Sequence, residues 1–310
     1  MPNLHPDANA IALDIDLPFS FQDTMKRKDA PTWKCVMEAE MESLNLHNVA
    51  EEVDLPNGER TLDMKWVYML KSKPDGNTKN KSQLCVRGDQ QRPRIDYTLT
   101  FAPTMKMQSF HLLCAQAVKL KYIMRQFDIK TAFLNGDLSD VIYVKQPLGF
   151  VNPKAPHKVW KLLKSMYGLC QAPCVWWQTL QTHLMEVELV STIGDEAIFI
   201  GNLQGKPIYV GVFVDNMPVA VPNMETGDKF RELLKACFHV HDLGQVKCIL
   251  GMEFHQDPST FAIMLTQHKY TQKLLNVFHH TDAHPASTPL PPGIKVSAVK
   301  GELLGPQNQY

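Results

Sequence analysis

Two aspartates occupy positions from which a carboxylate can hold a metal ion. Asp128 ends an apolar strand in the segment QFDIKTAFLNGDL, and Asp215 follows the apolar run YVGVFV in a pattern typical of a β-hairpin. We interpret Asp215 and Asn216 as the turn-forming pair of this hairpin. Each aspartate also has a conformational explanation, because Asp128 could cap a strand end and Asp215 could simply make a turn.

Taken together, the two aspartates suit phosphoryl-transfer chemistry. In-line attack of a hydroxyl group on a phosphate is commonly catalysed by two divalent ions, held by carboxylates from adjacent strands. Mg²⁺ favours oxygen ligands and binds through a few carboxylates plus substrate phosphates. One aspartate at a strand end and another at a neighbouring hairpin tip therefore predict a site for two Mg²⁺ ions, with Mn²⁺ as an alternative.

The elements that must position these aspartates mix helices and strands. Helical spacing of apolar residues predicts helices over WKCVMEAEMESL, over MQSFHLLCAQAVKL, after Pro173 and from Phe230 to Phe238. Apolar runs on both sides of the turn sequence KPDG predict a hairpin that carries lysines along and beyond its turn. The order of elements does not alternate strictly, which predicts an α+β fold.

The composition excludes several classes of protein. The 310 residues are 44% hydrophobic and 21% charged, and 32 basic residues balance 32 acidic ones. Overall charge therefore does not indicate a nucleic-acid binder, and no apolar run reaches the roughly 18 residues of a membrane span. The seven cysteines do not have the spacing of a metal site, and the N-terminus does not resemble a signal peptide. Both observations predict that the thiols are reduced. We expect an intracellular protein with no membrane partner, without choosing between cytoplasm and nucleus.

Seven stretches in one order resemble the reverse transcriptase region of copia-type retrotransposon polyproteins, from about Trp33 to about Pro292. They are KWVYMLKSKPDG, DYTLTFAPTMKM, FDIKTAFLNGDL with IYVKQPLGF, VWKLLKSMYGLCQAP, FVDN, DLGQVKCILGMEF and STPLPPG. The resemblance implies a right-hand polymerase fold with fingers, palm and thumb.

The same resemblance implies the boundaries of these regions. They are an N-terminal tail at 1–30, a reverse transcriptase domain at 31–292 and a C-terminal tail at 293–310, without a ribonuclease H domain. Within the domain, the fingers would span about 33–104 and 137–172, the palm about 105–136 and 173–255, and the thumb about 256–292.

By resemblance, Asp128 and Asp215 are the catalytic metal carboxylates. Phe133 looks like a steric gate, an aromatic ring that would clash with the 2′-hydroxyl of a ribonucleotide, although it could equally be a core residue. Lys81 on the fingers hairpin is the best candidate to contact the triphosphate. A solvent-exposed lysine face is the alternative for that cluster.

Two further groups of residues follow from the resemblance. The loop that contacts the incoming nucleotide and template looks like Tyr167, Gly168 and Gln171. The hairpin that grips the primer end looks like Leu250, Gly251, Met252 and Glu253.

The hairpin tip departs from the family pattern. The family has an aromatic residue, Val, Asp and Asp, whereas this chain has Asn216 at the last position. Asparagine offers one neutral carbonyl oxygen in place of a carboxylate, so metal binding should weaken. Gln83, Cys170 and Cys174 also stand where the family usually has cations that could face phosphate. Pro218 enters the returning strand, where it cannot donate a ladder hydrogen bond.

The sequence therefore predicts a copia-type RNA-directed DNA polymerase module with an impaired site. Its partners would be an RNA or DNA template with a primer, and deoxynucleoside triphosphates. The alternative is a non-catalytic remnant or repurposed module that binds nucleic acid or protein through the same cleft.

Overall fold

A computed structural model describes residues 17–72, 78–282, 284, 286 and 287. Its helices are α1 Phe21–Lys26, α2 Ala30–Leu46, α3 Met107–Leu120, α4 Ala172–Glu186, α5 Met224–Lys235 and α6 His268–Val277. Its strands are β1 Ala50–Val53, β2 Thr61–Leu62, β3 Met64–Ser72, β4 Thr78–Val86, β5 Ile123–Ile129, β6 Tyr143–Val144, β7 Val159–Leu162, β8 Val190–Ser191, β9 Ile198–Leu203, β10 Lys206–Gly211, β11 Asn216–Val221, β12 Val240–Gln245, β13 Cys248–Ile249, β14 Met252–Gln256 and β15 Ile263–Thr266. The predicted α+β fold is confirmed.

The largest sheet has six antiparallel strands in the order β12-β5-β11-β10-β9-β8. Helices α4 and α5 pack on one of its faces, where Trp177 lies 5.8 Å from Phe199 and Phe127 lies 5.8 Å from Phe230 between ring centroids. Helix α3 lies on the other face, where Gln116 donates to the hydroxyl of Tyr209. Successive side chains alternate between these faces, so Asp128 shares the α3 face.

A second apolar core lies under α2. Trp33, Met37, Met41 and Leu44 of α2 are buried against the hairpin β3–β4, and Trp33 meets Tyr68 edge to face at 5.2 Å. The same core includes the sheet β1-β7-β6-β2, in which β2 and β6 run parallel. The turn that joins β3 to β4, predicted over KPDG, lies outside the described residues.

Residues of the predicted N-terminal tail take part in this second core. Ser20 caps α1 by accepting from the Asp23 amide, and Phe21 packs against the core. Helix α1 also buries Thr24 completely. Leu17, the first described residue, packs against the same core.

The chain divides into one compact unit that ends at Thr266 and a second that begins at Gln267. Strands β13, β14 and β15 form a three-stranded antiparallel sheet at the end of the first unit. Within the described ranges, no helix is long and apolar enough to cross a membrane. All seven cysteines are free thiols.

Candidate active site

The register of β5 and β11 brings the predicted catalytic residues together. Asn216 lies directly across from Asp128, and the Ile129 amide donates to the backbone oxygen of Asp215 at 2.8 Å. Both strands lie in the middle of the six-stranded sheet, so their ends are fixed by neighbours on either side. Asp128 in β5 and Asp215 in the turn before β11 therefore lie at the same end of the sheet.

The hairpin turns one residue earlier than the sequence predicted. Phe213 and Asn216 exchange backbone hydrogen bonds of 2.8 and 3.0 Å, which places Val214 and Asp215 at the centre and makes Asn216 the first residue of β11. The prediction of Asp215-Asn216 as the turn pair was wrong, because this exchange draws Asn216 into the ladder. Val214 has φ +57°, an uncommon conformation for a β-branched residue. Trp176 donates its indole N–H to the Val214 carbonyl at 2.8 Å and holds the turn.

Pro218 lies in an interior strand of the sheet, a position proline rarely takes. The β10–β11 register runs to Val210 opposite Val219 and resumes with the bridge between Phe213 and Asn216. The ladder is interrupted between these pairs because proline has no N–H to donate.

The side chain of Asn216 is engaged by a residue that the sequence analysis did not single out. Gln126 donates from Nε2 to Asn216 Oδ1 at 3.0 Å and is 5% exposed. Gln126 precedes Asp128 by two residues in β5, so the period of two places both side chains on one face. That spacing was the available signal for its location, but its partner depends on the register with β11.

Phe133 and Tyr167 form an aromatic pair at the site. Their ring centroids are 4.7 Å apart at 66°, and Phe133 packs against both apolar cores. Burial raises the pKa of Tyr167, and the negative charge of Asp215 raises it further, while a hydrogen bond with Gln83 opposes both. Tyr167 therefore stays protonated beside Asp215, and Gln83 is a buried partner of its hydroxyl.

Gln171 lies inside the protein rather than on an open surface. It is 2% exposed, and its amide bonds Gln91 at 3.0 Å, the Asp96 carbonyl at 3.2 Å and Asp140 at 2.9 Å. These bonds tie together three loops. In this arrangement Gln171 supports the loop on which Tyr167 lies.

Lys81 lies in β4 opposite Met69 and is half-buried. Its positive charge acts on Glu40 of α2, where burial raises the carboxyl pKa and the Leu84 amide and Lys81 lower it. The structure therefore places Lys81 on the fingers hairpin, within electrostatic reach of a carboxylate.

The predicted primer-grip residues form a tight turn. Ile249 pairs with Met252, and the two residues between them, Leu250 and Gly251, have φ of +50° and +76°. Positive φ at both central positions is the feature of a type I′ turn. Glu253 accepts from the Thr266 hydroxyl at 2.9 Å.

Both the backbone conformation of Gly168 and the backbone packed against it favour glycine at this position. Its φ is +91°, and a Cβ there would overlap the Val86 carbonyl oxygen and lie 3.0 Å from the Val86 nitrogen. The Val86 amide also donates to the Tyr167 carbonyl at 2.8 Å. This contact joins the loop to the end of β4 and leaves no room for a side chain.

Replacing Gly168 by alanine should destabilise the fold measurably. We expect Gly168→Ala to lower the free energy of unfolding by about 3 kcal/mol, because backbone strain and a backbone clash coincide. Gly58→Ala is the matched control, since Gly58 has φ +86° with nothing within 4 Å of its added Cβ. At Gly58 we expect the free energy of unfolding to fall by about 1 kcal/mol, because only backbone strain is introduced there. Denaturant unfolding checks both, and equal losses would contradict the clash.

The donor set fits a hard divalent cation incompletely. The carboxylates of Asp128 and Asp215 are suitable oxygen ligands, but the oxygen of Asn216 already accepts a hydrogen bond. Across the described residues, no group of three or more His, Cys, Asp or Glu is arranged to hold a metal ion. The site therefore has two of the three charged ligands that its resemblance implies.

The chain is similar to a known protein family and to several transposon proteins. Residues 47–292 match the reverse transcriptase (RNA-dependent DNA polymerase) family. The Pol polyprotein of transposon TNT 1-94 from Nicotiana tabacum is 34% identical over 284 residues, 90% of this chain and 21% of the relative. The Pol polyprotein of transposon RE1 from Arabidopsis thaliana is 30% identical over 280 residues, 90% of this chain and 19% of the relative.

A solved foamy viral protease–reverse transcriptase in complex with double-stranded DNA is also similar. It is 13% identical, covers 78% of this chain and 36% of its own, and has a TM-score of 0.42. The chain spans about a fifth of the two plant relatives. The family match covers most of the chain and includes Asp128, Asp215 and the loop at Tyr167. This chain belongs to the reverse transcriptase family, with its right-hand polymerase fold, and its homologues are Pol polyproteins of copia-type transposons.

Proposed function

We propose that this chain is an RNA-directed DNA polymerase module whose catalytic carboxylates are Asp128 and Asp215, and whose activity is impaired by Asn216. The observation that carries the proposal is the register of β5 and β11, which sets Asp128 beside the turn that contains Asp215. Its partners would be a primed RNA or DNA template and deoxynucleoside triphosphates. The fingers, palm and thumb would follow the boundaries predicted from the sequence.

Each side chain has a role in this proposal. Asp128 and Asp215 would hold two Mg²⁺ ions, which supply charge stabilisation at the phosphate and activate the attacking 3′-hydroxyl. Phe133 would exclude a ribose 2′-hydroxyl, and its edge contact with Tyr167 would keep the ring in place. Lys81 would approach the triphosphate from the fingers hairpin.

The remaining predicted residues would support the substrates. Gly168 would bring the backbone of its loop close to the nucleotide, and Gln171 would brace that loop through its buried bonds. The turn from Leu250 to Glu253 would hold the primer end.

Asn216 is the position where this proposal implies weakness. A carboxylate there would complete three negative charges around two divalent ions, whereas asparagine supplies none. The loss would reduce metal occupancy and misplace the reacting groups. Small misplacements in such sites cost on the order of a hundredfold in rate.

A second candidate is a non-catalytic module that binds nucleic acid in the same cleft. The Gln126–Asn216 bond favours it, because it ties up the oxygen at the hairpin tip. Binding of this kind rests on cations that contact phosphates and should weaken steeply with salt. It would leave affinity for a primed template intact without synthesis.

Primer extension on a primed RNA template, first with Mg²⁺ and then with Mn²⁺, separates the two candidates. We expect slow synthesis by the unchanged protein and none by Asp128→Ala. Synthesis that persists in Asp128→Ala would contradict the assigned site. Salt-sensitive template binding without synthesis, in both this protein and Asn216→Asp, would favour the binding module.

A further inference from the structure

Gln126 and Asn216 form a side-chain pair beside the catalytic carboxylates. Gln126 lies on β5 two residues before Asp128, and Asn216 lies on β11 directly across from Asp128. The Nε2 group of Gln126 donates to Oδ1 of Asn216 at 3.0 Å. Gln126 is 5% exposed and Asn216 is half-buried, so water competes little for this bond.

The chemistry of an amide makes this bond consequential for a metal. An asparagine side chain has one oxygen that can ligate a cation and one NH₂ group that can only donate hydrogen bonds. The bond from Gln126 engages one of the two lone pairs of Oδ1, so a cation would have to share this oxygen with the donor. An NH₂ group is attracted to the neighbouring aspartates and cannot coordinate a cation. An aspartate at the same position would keep a second oxygen free while Gln126 bonded the first.

The surroundings of Gln126 favour this arrangement. Its partner on β11 is Pro218, whose side chain has no polar group that could compete for either amide. The two amides could exchange donor and acceptor only by turning over together. In the exchanged arrangement the NH₂ group of Asn216 would face Gln126, away from the negative charge that attracts it. The negative field of Asp128 and Asp215 therefore opposes that exchange.

We propose that Gln126 is a positioning residue that holds the Asn216 oxygen in a hydrogen bond and competes with a metal ion for it, so that Asn216 is a poorer ligand than an unbonded amide. The inference rests on the proposed function, since it concerns the metal site of that reaction. It predicts that Asn216 differs from aspartate by more than one lost charge. It also predicts that breaking the Gln126 bond returns an oxygen ligand to the site.

Mn²⁺ binding to the full chain, followed by electron paramagnetic resonance of the free ion, tests this without needing catalysis. We expect Gln126→Met to tighten Mn²⁺ binding about tenfold, because it frees the Asn216 oxygen; loss of a partner that supports a metal ligand would instead weaken binding by about ten- to a hundredfold. In the Asn216→Asp background the same change should alter binding less than about twofold, because a carboxylate oxygen is already free. Gln116→Met is the matched control, since it removes a bond to Tyr209 on another strand pair and should change nothing.

Asn216→Ala supplies a second test that does not alter Gln126. If Gln126 keeps the Asn216 oxygen from the ion, removing Asn216 should leave Mn²⁺ affinity nearly unchanged. A loss of affinity in Asn216→Ala, or no gain in a folded Gln126→Met, would overturn the proposal. If primer extension depends on Asp128 but Gln126→Met does not bind Mn²⁺ more tightly, only this inference fails. If Mn²⁺ affinity rises in Gln126→Met but neither this protein nor Asn216→Asp extends a primer, the proposed function fails and this inference stands.

Discussion

Asn216→Asp should raise the rate of primer extension with Mg²⁺ by about a hundredfold, the scale of misplacing reacting groups in such a site. The substitution restores a carboxylate directly across from Asp128 and adds a ligand oxygen that Gln126 cannot withhold. The rest of the hairpin is already held, because Trp176 bonds the turn and Asn216 exchanges backbone bonds with Phe213. Single-turnover extension of a labelled primer, at saturating template and nucleotide, measures the ratio.

The control for this prediction adds the same charge elsewhere on the sheet. Asn202 is exposed on β9, and β10 separates that strand from β11. Asn202→Asp should leave the extension rate within about twofold of the unchanged protein, because an exposed charge is screened by solvent. A comparable gain from both variants would mean that net charge, rather than a restored ligand, produced the effect.

Arg125→Met should cost the fold about 3 kcal/mol, the lower end for removing one partner of a buried ion pair. Arg125 is 1% exposed, pairs with Asp228 at 3.0 Å and with Asp242, and donates to the Met224 carbonyl at 3.0 Å. The lower end applies because Asp228 is half exposed and can regain water. Denaturant unfolding measures the loss.

Arg231→Met provides the matched comparison. Arg231 bonds the same two carboxylates, Asp228 at 3.3 Å and Asp242 at 3.1 Å, but its own side chain is 28% exposed. Pairs with this exposure contribute about 1 kcal/mol or less. Similar losses from the two variants would contradict the view that burial of Arg125 sets the size of the effect.

The pH dependence of the same network follows from the pKa of Asp242. Burial raises that pKa, but the Gly244 amide and the cations Arg125 and Arg231 outweigh burial and hold it below its ordinary 3.8. Stabilisation by a carboxylate with a lowered pKa is present above pH 3.8 and is lost as pH falls through the folded-state pKa. The difference in stability between the unchanged protein and Arg125→Met should therefore shrink below about pH 4.

Local patterns in the sequence predict much of the framework. The helix predicted over MQSFHLLCAQAVKL is α3 at Met107–Leu120. The helix predicted from Phe230 to Phe238 instead ends at Lys235 and begins earlier, where Asn223 caps the Thr226 amide. Phe238 is buried beyond the helix end, against Trp176 at 5.3 Å. Apolar spacing therefore identified the buried face but not the residue at which the backbone leaves the helix.

The polar partners of the site could not be predicted in the same way. Gln126 meets Asn216 only because β5 and β11 adopt one register, and the sequence does not fix a register between strands so far apart. Gln171 was assigned to the nucleotide loop, but its hydrogen-bond partners lie in two loops distant in sequence, one with Gln91 and Asp96 and one with Asp140. The aspartates were recognisable because their positions at a strand end and a hairpin tip are local features.

The most direct test of the account compares Asn216→Asp with the double variant Asn216→Asp and Asp128→Ala in primer extension on primed RNA with Mg²⁺. Both proteins should fold and bind the primed template alike, which thermal unfolding and template binding verify. The account predicts processive DNA synthesis by the first protein and none by the second. Equal synthesis by both, or silence from a folded Asn216→Asp protein, would contradict the claim that Asp128 and the hairpin tip form a polymerase active site.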